Sequence, residues 1–443
     1  MNVDARQPDP PPLPGASAPD SPPTRSFWTA FGPGLIFAGA AVGVSHLVQS
    51  TRAGAVYGLS LLIVVLLANL LKYPAFRFGP LYAAATGHSL LEGYRRQGRW
   101  ALVLYAVLTV ATMFTVQAAV TVVTAGLAKA ILGVDTSPIV LSAILLAICG
   151  GLLGFGDYSW LDRVIKVVVA VLTVSTLIAA ALVVPKVDWA AMRWLPSADL
   201  FTGKQLLFVA ALVGWMPSAI DISVWHSLWT LARRRDAGKA TVRDTLLDFD
   251  IGYIGTAVLA LCFLLLGAGV MHGKNVTIAA GAGGFAAQII NLYAETLGEW
   301  ARPVIGVCAF AVMFSTTLTV VDGFPRALSV LAARFRGPEA PERAAEELRE
   351  TRRAYWFSLV VLALGSLVVL MVFLKSLKAM VDLATTLSFL TAPILAWLNH
   401  RAVFGGDVPA EHQPGQGLRL ASWVGICFLG TFALLYLWLR FLT

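Results

Sequence analysis

Apolar residues in this chain run in long unbroken stretches, not at the three- and four-residue spacing of a half-buried helix. The stretches cover roughly 28–56, 57–78, 99–130, 137–155, 160–185, 204–231, 249–272, 300–323, 354–374, 379–399 and 418–441. Each is long enough to cross a hydrocarbon layer about 30 Å thick as a helix of about 20 residues. In lipid only helices and closed barrels satisfy their own backbone. Barrel strands would show alternating segments of about ten residues, and this sequence has none. The pattern predicts an all-α membrane protein with eleven transmembrane helices, called spans 1 to 11 below.

Residues 1–25 differ sharply, with eight prolines and almost nothing apolar. Such a segment cannot build a core, so a disordered cytoplasmic tail is expected ahead of a transmembrane domain over 26–443. The tail lacks the basic–apolar–small order of a secretory signal, so span 1 itself is expected to direct insertion.

Composition agrees with the pattern. Hydrophobic residues make up 58% and charged ones 13%, against about 45–50% and about 25% in soluble domains. That excludes a soluble enzyme, a nucleic-acid-binding domain and a disordered scaffold. The net charge of +8 has its source in the loops. Arg77, Arg95, Arg96 and Arg99 follow span 2, Arg233 to Arg235 with Lys239 and Arg243 follow span 6, and Arg326, Arg334, Arg336, Arg343, Arg349, Arg352 and Arg353 follow span 8. Basic residues favour the cytoplasmic side. We therefore expect a multi-pass protein of the cell inner membrane, with its N-terminus cytoplasmic and its C-terminus outside. The stretch 337–353 reads as a charged cytoplasmic helix with a solvated face. Cys149, Cys262, Cys308 and Cys427 sit in apolar runs without metal-ligand spacing and are expected to be buried small hydrophobes. No nucleophile–base pair or cofactor motif is present, so neither an enzyme nor a bound cofactor is expected.

Two spans are interrupted in corresponding places. Span 1 carries Gly39 and Gly43, followed by Ser45, His46, Gln49, Ser50, Thr51 and Arg52 where lipid would favour Leu. Span 6 carries Gly214, Met216 and Pro217, then Ser218 and Asp221. Pro217 lacks an N–H and clashes with the preceding turn, so the helix should break there. Spans 1 and 6 each open a possible unit of five helices. Paired interruptions of this kind point to the midplane site of a secondary transporter.

At these residues the chain resembles the Nramp family of divalent-metal transporters. The likeness rests on Gly32-Pro33-Gly34, Gly54-Ala55 with Tyr57-Gly58 close behind, and Ala68-Asn69-Leu70, at shared spacing. It covers nearly all of 28–443. The resemblance implies a LeuT-type 5+5 inverted repeat plus one helix, with helices 1 and 6 broken and the substrate held between them.

The departures from the family bear on the substrate. The family's Asp-Pro-Gly-Asn metal motif falls, without gaps, on Gly43, Val44, Ser45 and His46. Its Met-Pro-His is Met216-Pro217-Ser218 here, and His226-Ser227 stand about three residues later than the family's His-Ser. An Asp and a Glu tied to proton movement in the family's third span are replaced by Met113 and Val116.

Two readings of the altered site follow. A divalent metal would have to be held by His46, Met216 and Asp221. A small anion such as bicarbonate would instead use free N–H groups at a half-helix N-terminus, with donors from the face shared by His46, Gln49 and Ser50. Loss of the metal-motif Asp removes a charge that would repel an anion, and we expect the anion. Asp221 counts against that reading unless it forms an S-x-x-D capping box with Ser218 or pairs with a coupling cation. The expected substrate site is thus Gly43, Ser45, His46, Gln49, Gly214, Met216, Ser218 and Asp221. By resemblance to LeuT-type transporters, sodium is the candidate coupling ion, between helix 1 carbonyls and Ser315, Thr316 and Thr319. Arg52, Thr385 and Asp382 are gate candidates.

Overall fold

A computed structural model describes residues 32–441 apart from 156–157, 188, 191, 198–199, 201, 238–240, 274–278, 280–281, 339–343 and 374–375. The expected tail over 1–25 lies outside the described residues.

Span 1 is α1 (Pro33–Ala41), a π-wound segment over Ser45–Ser50, and α2 (Thr51–Tyr57). Its two halves meet at 45°. The next helices are α3 (Leu62–Thr86), short α4 (Leu90–Gln97), α5 (Arg99–Leu132), α6 (Pro138–Phe155) and α7 (Tyr158–Val183). Span 6 is divided into α8 (Gly203–Trp215) and α9 (Asp221–Ala237). Then come α10 (Val242–Val270), α11 (Ala282–Leu297), α12 (Ala301–Arg336), α13 (Ala344–Val372), α14 (Leu377–Phe404) and α15 (Gln416–Phe441).

Among the described residues, eight helices are long and apolar enough to cross a membrane singly, and the bent pair in span 1 makes a ninth. The other two expected spans are α6 and α8–α9, whose apolar helices are shorter. Three features go beyond the sequence pattern. Helix α3 extends eight residues past the predicted end of span 2. Helices α4 and α11 lie between spans. The charged run before span 9 is no separate helix, since residues 344–353 continue directly into α13.

Helix packing repeats when five is added to each span number. Span 1 packs on span 7, as span 6 packs on span 2. Span 8 packs on spans 4, 5 and 9, as span 3 packs on spans 9, 10 and 4. Spans 3 and 8 pack on each other at the centre. Accordingly 67% and 72% of their apolar windows are buried, against 22% for span 9. A membrane offers no hydrophobic force between helices, so small and hydroxyl residues provide the contacts. Thr124 on α5 and Thr317 on α12 share a hydrogen bond of 2.7 Å. Asn399 on α14 donates to Ala75 O of α3 and Ser223 Oγ of α9, both at 2.9 Å. Three of the four cysteines are buried as expected, but Cys427 is exposed on α15, the last helix of the bundle.

Candidate functional site

Each break has a local cause. After Ala41 the chain leaves the helical region at Val42, whose ψ is 81°. Gly43 sits where Thr316 of α12 presses in, and a Cβ there would stand 2.9 Å from the Thr316 methyl. Its role is close approach. In span 6 the carbonyl of Val213 would normally accept from the residue four positions on, which is Pro217. That missing N–H ends α8 at Trp215, and the chain restarts at Asp221.

The two breaks enclose a cavity of about 30 Å³, room for about two waters. Its polar lining comprises Ser45, Ser218, Asp221 and Thr316, and Val116, Val120, Trp225 and Phe324 supply apolar walls. Asp221 is buried, and neither carboxylate oxygen has a hydrogen-bond partner among the described residues. The capping box expected of Ser218 and Asp221 is therefore not formed. As the first residue of α9, Asp221 still stands at the positive end of the helix dipole, which favours a carboxylate there.

The remaining candidates fall into three groups. His46 turns away toward α10, where Nε2 donates to Thr256 O at 2.9 Å, and Nδ1 meets Ser45 Oγ at 2.7 Å. Gln49 Nε2 donates to Thr385 Oγ1 at 3.4 Å, and Ser50 Oγ lies 3.6 Å from Met216 Sδ. His46, Gln49 and Ser50 therefore do not share one face. The π winding of Ser45–Ser50 re-phases side chains that an α-helix would stack. Gly214 is a packing position, because a Cβ would stand 2.1 Å from Thr385 O. Arg52 and Asp382 form the third group, an ion pair of 2.7 Å.

Of the coupling-ion candidates, Thr316 Oγ1 lies 2.8 Å from Gly39 O, 3.4 Å from Val42 O and 3.1 Å from Val312 O. One hydroxyl proton serves only one of these carbonyls. Thr319 bonds to Ser315 O and Thr316 O of its own helix. Ser315 Oγ is buried with no partner among the described residues.

Lys72 was missed by the sequence reading. Its side chain is fully buried on α3, and Nζ donates to Val213 O, Gly214 O and Ser218 O at 2.7, 2.8 and 3.1 Å. The signal was available, because a single charge within an apolar span marks a functional site by default. Asp248 on α10 was also missed. Its carboxylate accepts from Gly32 N at 3.1 Å and Gly34 N at 2.8 Å, at the start of α1.

Residues 34–439 match the family described as natural resistance-associated macrophage protein-like, Nramp. The chain belongs to the Nramp family. It is a membrane transporter, not an enzyme. An uncharacterized protein of Pasteurella multocida is 37% identical over 416 residues, covering 93% of each chain. A manganese transporter of Eremococcus coleocola, solved with an aromatic bis-isothiourea compound, shares the fold at a TM-score of 0.63. The identity is 15%, over 94% of this chain and 88% of that one. MhsT bound to L-phenylalanine gives a TM-score of 0.62 at 15% identity, over 90% of this chain and 98% of its own. The fold is thus an all-helical, LeuT-type transporter fold, as the resemblance implied.

Proposed function

We propose that this Nramp-family protein is a secondary transporter of a small inorganic anion, with bicarbonate the first candidate. Transport works by alternating access around the cavity between the two breaks. His46 carries this reading. It stands in the family's metal motif, yet both its ring nitrogens are committed to protein oxygens. A neutral imidazole donating from Nε2 and accepting at Nδ1 has no lone pair left for a metal. Gly43 replaces the motif's carboxylate, and among the described residues no three His, Cys, Asp or Glu side chains converge on a point.

Sodium as coupling ion is supported by the carbonyls of Gly39, Val42 and Val312 around one Thr316 hydroxyl, since oxygen-rich sets suit hard cations. A cation bound there also offsets the Asp221 charge across the cavity. On the orientation that the basic loops favour, with a cytoplasmic N-terminus, the Arg52–Asp382 pair is the outer gate and Asp248 with the start of α1 the inner one.

A divalent-metal cargo is the second reading, and Asp221 favours it, because its unpartnered carboxylate lines the cavity. The deciding experiment is flux into proteoliposomes under matched gradients, comparing labelled bicarbonate with manganese and magnesium. Bicarbonate uptake without metal uptake supports the anion reading, and metal uptake alone overturns it.

A further inference from the structure

Breaking a helix leaves carbonyls unsatisfied at the end of its first half. In span 6 the carbonyls of Val213, which keeps only a long bond of 3.4 Å from Met216 N, and of Gly214 converge with Ser218 O from the far side of Pro217, and one side chain meets all three. Lys72 Nζ stands 2.7, 2.8 and 3.1 Å from them. A neutral amine has only two hydrogens to donate, whereas an ammonium has three. Three acceptors at these distances suit the charged form, which can donate to all of them. Lys72 is 0% exposed, and among the described residues no carboxylate lies in ion-pair contact with it. Its positive charge is compensated by backbone dipoles at the negative end of α8.

A ring of main-chain carbonyls facing a buried space is how proteins commonly hold a dehydrated cation. We propose that Lys72 is a specificity-determining residue, a built-in cation that fills the carbonyl cage of the span 6 break and keeps metal cations out of it. The functional sense of this role rests on the anion reading above. The ammonium withdraws the Val213, Gly214 and Ser218 oxygens from any cation in the adjoining cavity, and its charge repels one. It also ties α8 and the segment before α9 to α3, so the break keeps its shape when the two half-helices move.

The test uses purified full-length protein and two variants. Lys72→Met keeps the bulk and removes the charge. Lys72→Ala opens a space that methylammonium can enter. Loss of three charge-assisted bonds should cut bicarbonate uptake about tenfold or more in both variants. Methylammonium, equal on both sides of the membrane, should restore uptake by Lys72→Ala and raise its Tm. Tetramethylammonium, too large for the cage, should do neither. Wild type and Lys72→Met should not respond, because the cage is filled. Manganese titrated calorimetrically should give no binding to wild type and measurable binding to the vacated cage of Lys72→Ala.

Methylammonium leaving the Tm of Lys72→Ala unchanged, or raising all three proteins alike, overturns the tethered-cation role. Manganese binding to wild type at the central cavity, lost in Asp221→Asn, overturns exclusion. The Tm arm needs no transported substrate. If wild type carries no bicarbonate while methylammonium still stabilises Lys72→Ala alone, the anion reading falls and the caged ammonium stands. Should Lys72→Ala be recovered only when purified in methylammonium, that requirement itself supports the role.

Discussion

Arg52 and Asp382 are 330 positions apart in the chain, yet Arg52 Nη1 stands 2.7 Å from Asp382 Oδ1. The guanidinium packs against the Phe208 ring, 4.4 Å from its centroid. The pair thus joins α2 of the first broken span, α8 of the second and α14. At the other end of span 1, Asp248 holds the first amides of α1 to α10. Each half of the broken helix is therefore fastened by a different carboxylate, with the cavity between the two fastenings.

Arg52→Ala should release one fastening. Exposed pairs contribute about 0.2–1 kcal/mol and fully buried ones cost about 3–5 kcal/mol when one partner is removed. This half-buried pair falls between those limits, enough to shift a two-state gate about tenfold. A cysteine at Thr385, in a background lacking the four native cysteines, should react faster with a membrane-impermeant thiol reagent from the Asp382 side. Arg52→Asp with Asp382→Arg should restore slow labelling. Equal labelling rates in wild type and Arg52→Ala would remove the pair from gating.

Asp248→Ala should act in the opposite direction. It removes a carboxylate that accepts two amides at a helix N-terminus, a contribution of about 0.5–2 kcal/mol. The same Thr385 cysteine should then be labelled more slowly from the Asp382 side, because loosening one end favours closure of the other. In Arg52→Ala/Asp248→Ala the two shifts should partly cancel.

Much of this arrangement was legible in the sequence, and the reasons differ by residue. Pro217 removes an N–H in mid-span near Gly214, and the chain breaks there, whereas Pro74 and Pro393 sit inside continuous helices. Arg52 and Asp382 were both recognisable as misplaced charges, but their pairing depends on how α2 and α14 pack, which spacing alone does not encode. His46 was placed by α-helical periodicity, and the π winding turned it to Thr256. Lys72 was visible as a charge in the run LLIVVLLANLLKYPAF. Its meaning lay in the carbonyls of the span 6 break, more than 140 positions away.

Gly54 and Gly267 test the packing of span 1 on span 7. A Cβ on Gly54 would stand 1.9 Å from Leu264 O, and one on Gly267 would stand 2.1 Å from Thr51 O. Backbone cannot yield as a flexible side chain can, so Gly54→Ala should cost at least about 1–3 kcal/mol. A Tm lowered by several degrees in detergent is the expected reading. Gly151→Ala, inside α6, has no atom within 4 Å of the added Cβ and should not lower the Tm.

Glu92, on the short helix α4 outside the spans, gives a pH dependence. Burial pushes its carboxyl up, but hydrogen bonds and charge from Arg95, with Arg96 and Arg334, outweigh burial and hold it below its ordinary value of 4.5. A carboxyl depressed by folding stabilises the fold above its unfolded value, and that contribution is lost as pH falls through the folded one. Glu92→Gln should therefore have a lower Tm than wild type at pH 7. The gap should narrow only below pH 4.5. A gap that closed between pH 7 and pH 5 would point to a different group.

The central residues separate the two cargo readings by which substitutions hurt. For an anion, His46→Ala should abolish bicarbonate uptake, because it cuts the bond to Thr256 O that fixes the π-wound half of span 1 against α10. Met216→Ala should be mild, since Met216 lies outside the cavity lining and its sulfur accepts from the Ser50 hydroxyl at 3.6 Å. Asp221→Asn should keep anion binding and weaken the sodium dependence of uptake, because the carboxylate's part is to balance the coupling cation. For a metal, Met216→Ala and Asp221→Asn should both be severe, as each removes a ligand from an already sparse set. Initial uptake rates of bicarbonate and manganese across the three variants, with sodium varied, distinguish the patterns. Wild-type bicarbonate uptake by His46→Ala would count against both site models, because each assigns that residue a part.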